Sequence, residues 1–135
     1  MKIKFYAHAS FRLETDDLAI VTDPYTPAPG NSGFDPIDEK ADIVLMSSDT
    51  DSFHSDPSHV LGNPIVVNTL ALPTEGKKID NKLFVKSYPA WESMTFDYRK
   101  EYNLILMPTR SIILSWTESA FCTWATSVFP FSKTI

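Results

Sequence analysis

The sequence of 135 residues lacks the features that mark several common classes of protein. It contains one cysteine, Cys122, which excludes an internal disulfide and fits a reducing cytoplasm. No apolar run reaches the ~18 residues that a membrane span needs. The N-terminal segment 1–10 also lacks the apolar core of a signal peptide. We therefore expect a cytoplasmic protein that does not enter a membrane.

Basic clusters and short catalytic motifs are missing as well. The formal net charge is −5, and no cluster of Lys and Arg offers a surface for nucleic acid or for a membrane. There is no CxxC pair and no glycine-rich phosphate loop. Ser10, Ser47 and Ser48 lie in no nucleophile-elbow context, so no Ser/His/Asp triad is predicted. The composition, 43% hydrophobic and 21% charged, is typical of a soluble globular protein, and the length fits one domain.

Short strands separated by turns are predicted for the first hundred residues. Alternating or continuous apolar patterns predict strands over six segments: 2–6, 11–15, 18–22, 42–46, 65–67 and 83–85. The segment 25–40, rich in Pro and Gly, is predicted to be a loop. Asp56 and Pro57 have the residue types of an N-cap and a first helical position. The polar segment 47–57 follows a buried strand, which is where open α/β sheets place their sites.

Three of these segments, taken in order, resemble the start of a metallo-β-lactamase-fold hydrolase. They are the opening MKIKFYAHASFRLET, the following VTDPY, and ADIVLMSSDTDSFHSD at 41–56. The ascorbate-6-phosphate-lactonase-like branch is the most similar. The resemblance implies an α/β fold of the αββα sandwich type, with residues 1–99 as its N-terminal part, so that the sandwich is present as its first half only or is incomplete. It also implies hydrolysis of a small ester or lactone by metal-bound water.

The metal loop of that family, T-H-x-H-x-D-H, is degenerate in this chain. Aligned with it, Ser47 stands for the Thr, and Phe53 for the last His. Hydroxyl-bearing residues replace the other three ligands: Ser48, Thr50 and Ser52. A hydroxyl stays protonated and is a poor zinc ligand. We therefore expect a hydrolase-like protein with weak or no activity, or alternatively a non-catalytic binding or self-assembling module.

The same loop offers a different set of candidate ligands. Asp49, Asp51 and His54 are the predicted metal ligands, with Asp56 nearby in the sequence. Their carboxylates favour Mg or Mn, and the imidazole also suits Zn. The alternative is an ordinary solvated acidic turn.

Four further residues have two interpretations each. His8, in the family-like AHASF turn, is either a metal ligand or a structural histidine. Asp23 either orients a ligand or caps the turn before Pro24. Glu92 falls near the place of another metal-site His of the family, and His59 is expected to be an exposed helix residue.

The segment 100–135 differs in character from the rest of the chain. Residues 101–135 hold two of the 17 acidic residues and two of the 12 basic ones, without helical or strand periodicity. Read one frame over, codons for the segment 113–127 permit a G-I-R-I-L-H-x-G-D-type motif like that of the family. We therefore hypothesise a frameshift near residues 100–105, with a truncated family domain as its result. A genuine divergent C-terminus that packs as a strand or helix is the alternative.

Overall fold

The computed structural model describes residues 1–30, 32–49, 51, 53–93, 106–116 and 121–124, and from residue 90 onward it describes the backbone alone. These residues contain nine strands and two short 3-10 helices, Pro57–His59 and Thr69–Ala71. The strands form two sheets. Among these residues, none of the helices is long and apolar enough to cross a membrane.

The first sheet has five strands in sequence order. Its strands are β1 (Lys2–Ala7), β2 (Ser10–Glu14), β3 (Ala19–Thr22), β4 (Ile43–Met46) and β5 (Ile65–Asn68). Strands β1 to β3 are antiparallel because tight turns join them, whereas β3, β4 and β5 are parallel and need long connections. All five lie where the sequence predicts them, within one or two residues.

The second sheet has four antiparallel strands. They are β6 (Lys77–Ile79), β7 (Leu83–Ser93), β8 (Leu106–Trp116) and β9 (Phe121–Trp124). Strands β7 and β8 pair along their full length, from Leu83 opposite Trp116 to Ser93 opposite Leu106. The sequence predicts only the start of β7. Strands β8 and β9 lie in the segment for which neither helical nor strand periodicity was found in the sequence, and both interpretations of that segment stay predictions.

One glycine is required by the connection into the second sheet. Gly76 has a φ of +91°, a backbone conformation that residues with a Cβ rarely adopt. A Cβ on this residue would lie 2.8 Å from the carbonyl oxygen of Val85 and 2.5 Å from the ring of Phe84. The close approach to β7 therefore depends on glycine at this position.

An inner core lies between the two sheets, and its members among residues 1–89 are all aliphatic. The first sheet contributes Leu13, Ile20, Ile43, Leu45 and Val67, the turn before β3 contributes Leu18, and the other residues are Leu72, Ile79, Leu83 and Val85. Because alternate residues of a strand face opposite sides, this core takes one face of β3 and β4.

An outer core covers the opposite face of β3 and β4 and is built differently. Val21 and Val44 pack there against residues of the long loop and its surroundings: Ala7, Tyr25, Ile37, Ala41 and Val60. The central strands are therefore buried on both faces, as the apolar run 42–46 predicts, with Ile43, Val44 and Leu45 at 0% exposure. Within the described residues, a loop rather than an α-helix provides this cover.

The edge strands of the first sheet remain partly uncovered. On β5, Ile65 and Val66 are 45% and 46% exposed, and only Val67 is buried. On β1, Ile3 and Phe5 are more than half exposed. Strand β5 therefore presents apolar side chains to solvent at this edge of the sheet.

Candidate functional site

The parallel strands β3, β4 and β5 end at one edge of the first sheet, and a polar residue follows or closes each of them. Asp23 follows β3, Ser47 follows β4, and Asn68 is the last residue of β5. We call this the carboxyl edge. It is the edge at which open sheets with parallel strands bind their ligands, and the predicted metal loop begins there.

Asp23 joins the first two of these strand ends. It is fully buried and has a φ of +41°, a conformation that Asp tolerates better than most residues. Its Oδ1 accepts a hydrogen bond of 2.6 Å from the backbone N–H of Ser47. Its own N–H donates to the carbonyl oxygen of Leu45 at 2.8 Å. The carboxylate therefore fixes the start of the loop that follows β4, which is more than a cap on its own turn.

Asp51 and His54 contact each other within that loop. Oδ2 of Asp51 contacts Nδ1 of His54, and both side chains are largely buried, at 15% and 12% exposure. Oδ1 of Asp51 accepts the backbone N–H of Phe53 at 2.9 Å. The carbonyl oxygen of Asp51 accepts bonds from the His54 N–H at 3.0 Å and the Ser55 hydroxyl at 2.6 Å. Asp51 is thus the organising residue of this turn.

Asp49, the third predicted ligand, is engaged with the end of β5. Its Oδ2 accepts a hydrogen bond of 3.1 Å from the side-chain amide of Asn68. Among the described residues, no three His, Cys, Asp or Glu side chains are grouped so that they could hold an ion. The structure therefore brings Asp51 and His54 together, and a three-residue site with Asp49 stays a prediction.

The residues at the family's ligand positions do not fit a dinuclear zinc centre. Ser47 and Ser48 are buried, at 1% exposure each, and offer hydroxyls rather than imidazoles. Phe53 offers only carbon, and its ring packs 4.9 Å from that of His8. Thr50 and Ser52 lie outside the described residues, as does the side chain of Glu92.

His8 and His59 lie in different environments. His8 is exposed in the turn between β1 and β2, with a φ of +51°, and contacts aromatic rings. His59 is partly buried: its Nδ1 accepts the N–H of Ile37 at 2.8 Å, and its Nε2 bonds the carbonyl oxygen of Tyr25 at 2.7 Å. Nδ1 accepts a hydrogen bond and so carries no proton, whereas Nε2 faces a carbonyl oxygen and must donate. The ring proton is therefore assigned to Nε2. The expectation of an exposed His59 is wrong because this ring ties the long loop to the 3-10 helix.

Asp56 acts as the N-cap that its sequence context predicts. Its Oδ1 accepts the N–H of Ser58 at 3.1 Å and the Ser58 hydroxyl at 2.6 Å. Burial acts to raise the pKa of this carboxyl, but the hydrogen bonds from Ser58 and Thr26 outweigh it and hold the pKa below its usual range. Asp56 is therefore occupied in closing the loop and contributes nothing to a ligand set in this arrangement.

The family is established by comparison with known proteins. Residues 2–109 match the model of the beta-lactamase superfamily domain, so the chain belongs to that family. The match extends ten residues beyond the boundary at 99 expected from the sequence. Comparison with curated proteins found no match.

Two solved structures are similar in fold. A candidate metal-dependent hydrolase from Parabacteroides distasonis has 21% identity and a TM-score of 0.53 over 84% of this chain. A candidate Zn-dependent hydrolase of the metallo-beta-lactamase superfamily from Thermotoga maritima has 20% identity and a TM-score of 0.49 over 83%. The chain spans 55% and 42% of their respective lengths, about half. The metallo-β-lactamase-type fold is confirmed, and the described residues form part of its sandwich.

Proposed function

We propose that this chain is a hydrolase-like member of the superfamily whose activity toward small esters and lactones is weak or absent. The observation that supports it is the loop after β4, where buried Ser48 and the phenyl ring of Phe53 occupy family ligand positions. Neither group replaces a neutral imidazole on zinc. The lactone class follows from the resemblance to the ascorbate-6-phosphate-lactonase-like branch. The cytoplasmic location likewise stays a prediction, based on the single cysteine.

Elemental analysis combined with an activity assay tests this proposal. We expect well under one zinc ion per purified chain, and no zinc-dependent hydrolysis of lactones or aryl esters. One or two tightly held zinc ions per chain, with turnover that a chelator abolishes, would contradict the proposal. A variant carrying Ser48→His, Thr50→His, Ser52→Asp and Phe53→His restores the family motif. This variant should gain zinc, and Phe53→His alone, as the control, should not.

A single weak divalent site is a second candidate, favoured by the contact between Asp51 and His54. Such a site would use Asp49, Asp51 and His54, and Zn, Mn and Mg are the ions to test. Calorimetric titration should then show binding that Asp49→Ala and His54→Ala each abolish. Asp17→Ala is the matched control, because Asp17 is exposed in the turn at the other end of β3. Equal losses in all three variants would mean non-specific surface binding.

A non-catalytic, self-assembling module is the remaining candidate, favoured by the exposed apolar residues on β5. An edge strand presents unpaired backbone groups, and apolar side chains beside them promote pairing between chains. Sedimentation should show concentration-dependent association that Val66→Lys reduces. Leu61→Lys, at an exposed apolar position outside the strands, should leave it unchanged. A monodisperse monomer at all concentrations would rule this candidate out.

A further inference from the structure

Four rings form an aromatic cluster at the carboxyl edge: His8, Tyr25, Phe34 and Phe53. The ring centroid of His8 lies 4.9 Å from Phe53, 5.5 Å from Phe34 and 6.0 Å from Tyr25. Tyr25 and Phe34 are 6.0 Å apart. The cluster therefore brings together residues from three separate turns and loops, one of them at a position that holds a metal ligand in the resembling family.

One side of the aromatic cluster is buried and held by hydrogen bonds, and the other side is exposed to solvent. Tyr25 is 3% exposed, and its hydroxyl donates to the carbonyl oxygen of Asp35 at 2.9 Å. The backbone N–H of Phe53 is held by Asp51. Phe34, by contrast, is 48% exposed, and His8 is exposed as well. Phe34 and His8 therefore present exposed ring surface beside rings that hydrogen bonds hold in place, and such a preorganised surface lowers the entropic cost of binding.

Negative charge surrounds these rings. The segments 23–39 and 41–76 contain no Lys or Arg. Asp35 directly follows Phe34, and burial together with the charge of Asp35 raises the pKa of Tyr25. Within the part of the chain that the structure describes, neither Asp35 nor Asp51 forms an ion pair with Lys or Arg. The field at the cluster therefore attracts cations and repels anions.

We propose that the aromatic cluster binds an organic cation of the alkylammonium class. An aromatic face attracts a cation through its quadrupole, and ammonium groups that carry methyl groups also gain from apolar contact. The adjacent carboxylates add long-range attraction without needing direct contact. A neutral aromatic ligand would gain nothing from this charge. The site requires no metal and no hydrolysis, so it goes beyond the proposed function and does not depend on it.

An NMR titration of the full chain with choline tests the proposal directly. Choline should shift the ring signals of His8 and Phe34 in a saturable way, with a dissociation constant on the order of 1 to 10 mM for an exposed aromatic site. The control ligand is 3,3-dimethyl-1-butanol, which has the same shape without the charge. It should bind at least about fivefold more weakly. Equal binding of the two, or no saturable shift up to about 50 mM choline, would overturn the proposal.

A pair of matched variants locates the site on the protein. Phe34→Leu keeps an apolar side chain but removes the ring, so we expect choline affinity to fall about two- to fivefold. Phe84→Leu is the control, because Phe84 is 38% exposed on β7 of the other sheet. An equal loss in both variants would show non-specific binding. The ligand comparison uses the unaltered chain, so the outcome does not depend on how a variant folds.

Discussion

The two cores of this protein cover opposite faces of the same central strands by different physical means. The inner core packs sheet against sheet, and its described side chains are all aliphatic. The outer core packs β3 and β4 against the long loop 25–40, which polar contacts hold at Glu39 and His59. Paired strands satisfy the hydrogen bonds of each other's backbone groups, whereas the backbone groups of a covering loop also need side chains as hydrogen-bond partners. We therefore expect hydrophobic packing to dominate stability on one face and individual hydrogen bonds on the other.

The inner core should give the largest effect. Leu45→Ala removes a side chain at 0% exposure, and a cavity between two sheets should cost about 2–5 kcal/mol of unfolding free energy. Urea unfolding measures this. Leu61→Ala is the matched control, since Leu61 is 48% exposed and should lose no more than about 0.5 kcal/mol. Similar losses at the two positions would contradict the assignment of the core.

Asp23 should give the next largest effect, because it joins the carboxyl ends of β3 and β4. Asp23→Ala leaves the buried N–H of Ser47 without its acceptor, which should cost about 1–3 kcal/mol. Asp23→Asn keeps an acceptor oxygen and tolerates the positive φ, so it should recover part of the loss. Chemical denaturation of the two variants side by side measures the difference. No difference between them would show that the acceptor is unimportant.

His59 tests whether the loop over the outer core opens by itself. His59→Ala removes bonds to Ile37 and Tyr25, and we expect a loss of about 1–2 kcal/mol. Amide exchange of Ile37 should accelerate, while the amides of the inner-core strand β7 should change little. His54→Ala serves as the control because His54 bonds within its own turn. Uniform acceleration in all strands would show that the two regions unfold as one unit.

Acid should weaken the outer region by the smallest amount. A hydrogen bond from Lys4, helped by the charge of Arg12, holds the pKa of Glu39 below its usual range, although burial opposes this. A lowered carboxyl pKa stabilises the fold above the unfolded value of about 4.3, and this contribution disappears as the pH falls through the folded pKa. Unfolding free energies measured between about pH 3 and 7 should thus fall less steeply for Glu39→Gln than for the unaltered chain.

Glu75→Gln is the control for the acid experiment. Glu75 is exposed, and among the described residues its carboxylate contacts the Thr74 hydroxyl rather than a basic group. Its replacement should leave the pH profile of stability unchanged. A flattened profile in this variant would mean that the acid effect comes from net charge rather than from the contacts of Glu39.

The sequence by itself determined the strands of the first sheet and the loop at its carboxyl edge. The alternating pattern of β1 and the apolar run of β4 are local signals that carry a side-chain period. The N-cap at Asp56 was equally readable, since Asp before Pro has a local cause. The family resemblance rested on the same short segments, and the degenerate metal loop was visible as a replacement of ligand types.

Only the tertiary structure decided which residues meet across the chain. The contacts of His59 with Ile37, of Asp23 with Ser47, and of His8 with Phe34 all join residues more than 20 positions apart. Beyond the start of β7, the strands of the second sheet form by pairing with each other. Such pairing does not require an alternating apolar pattern within one segment of the sequence. Packing against distant partners has no signature in a single segment, and this is why the aromatic cluster could not be read from the sequence.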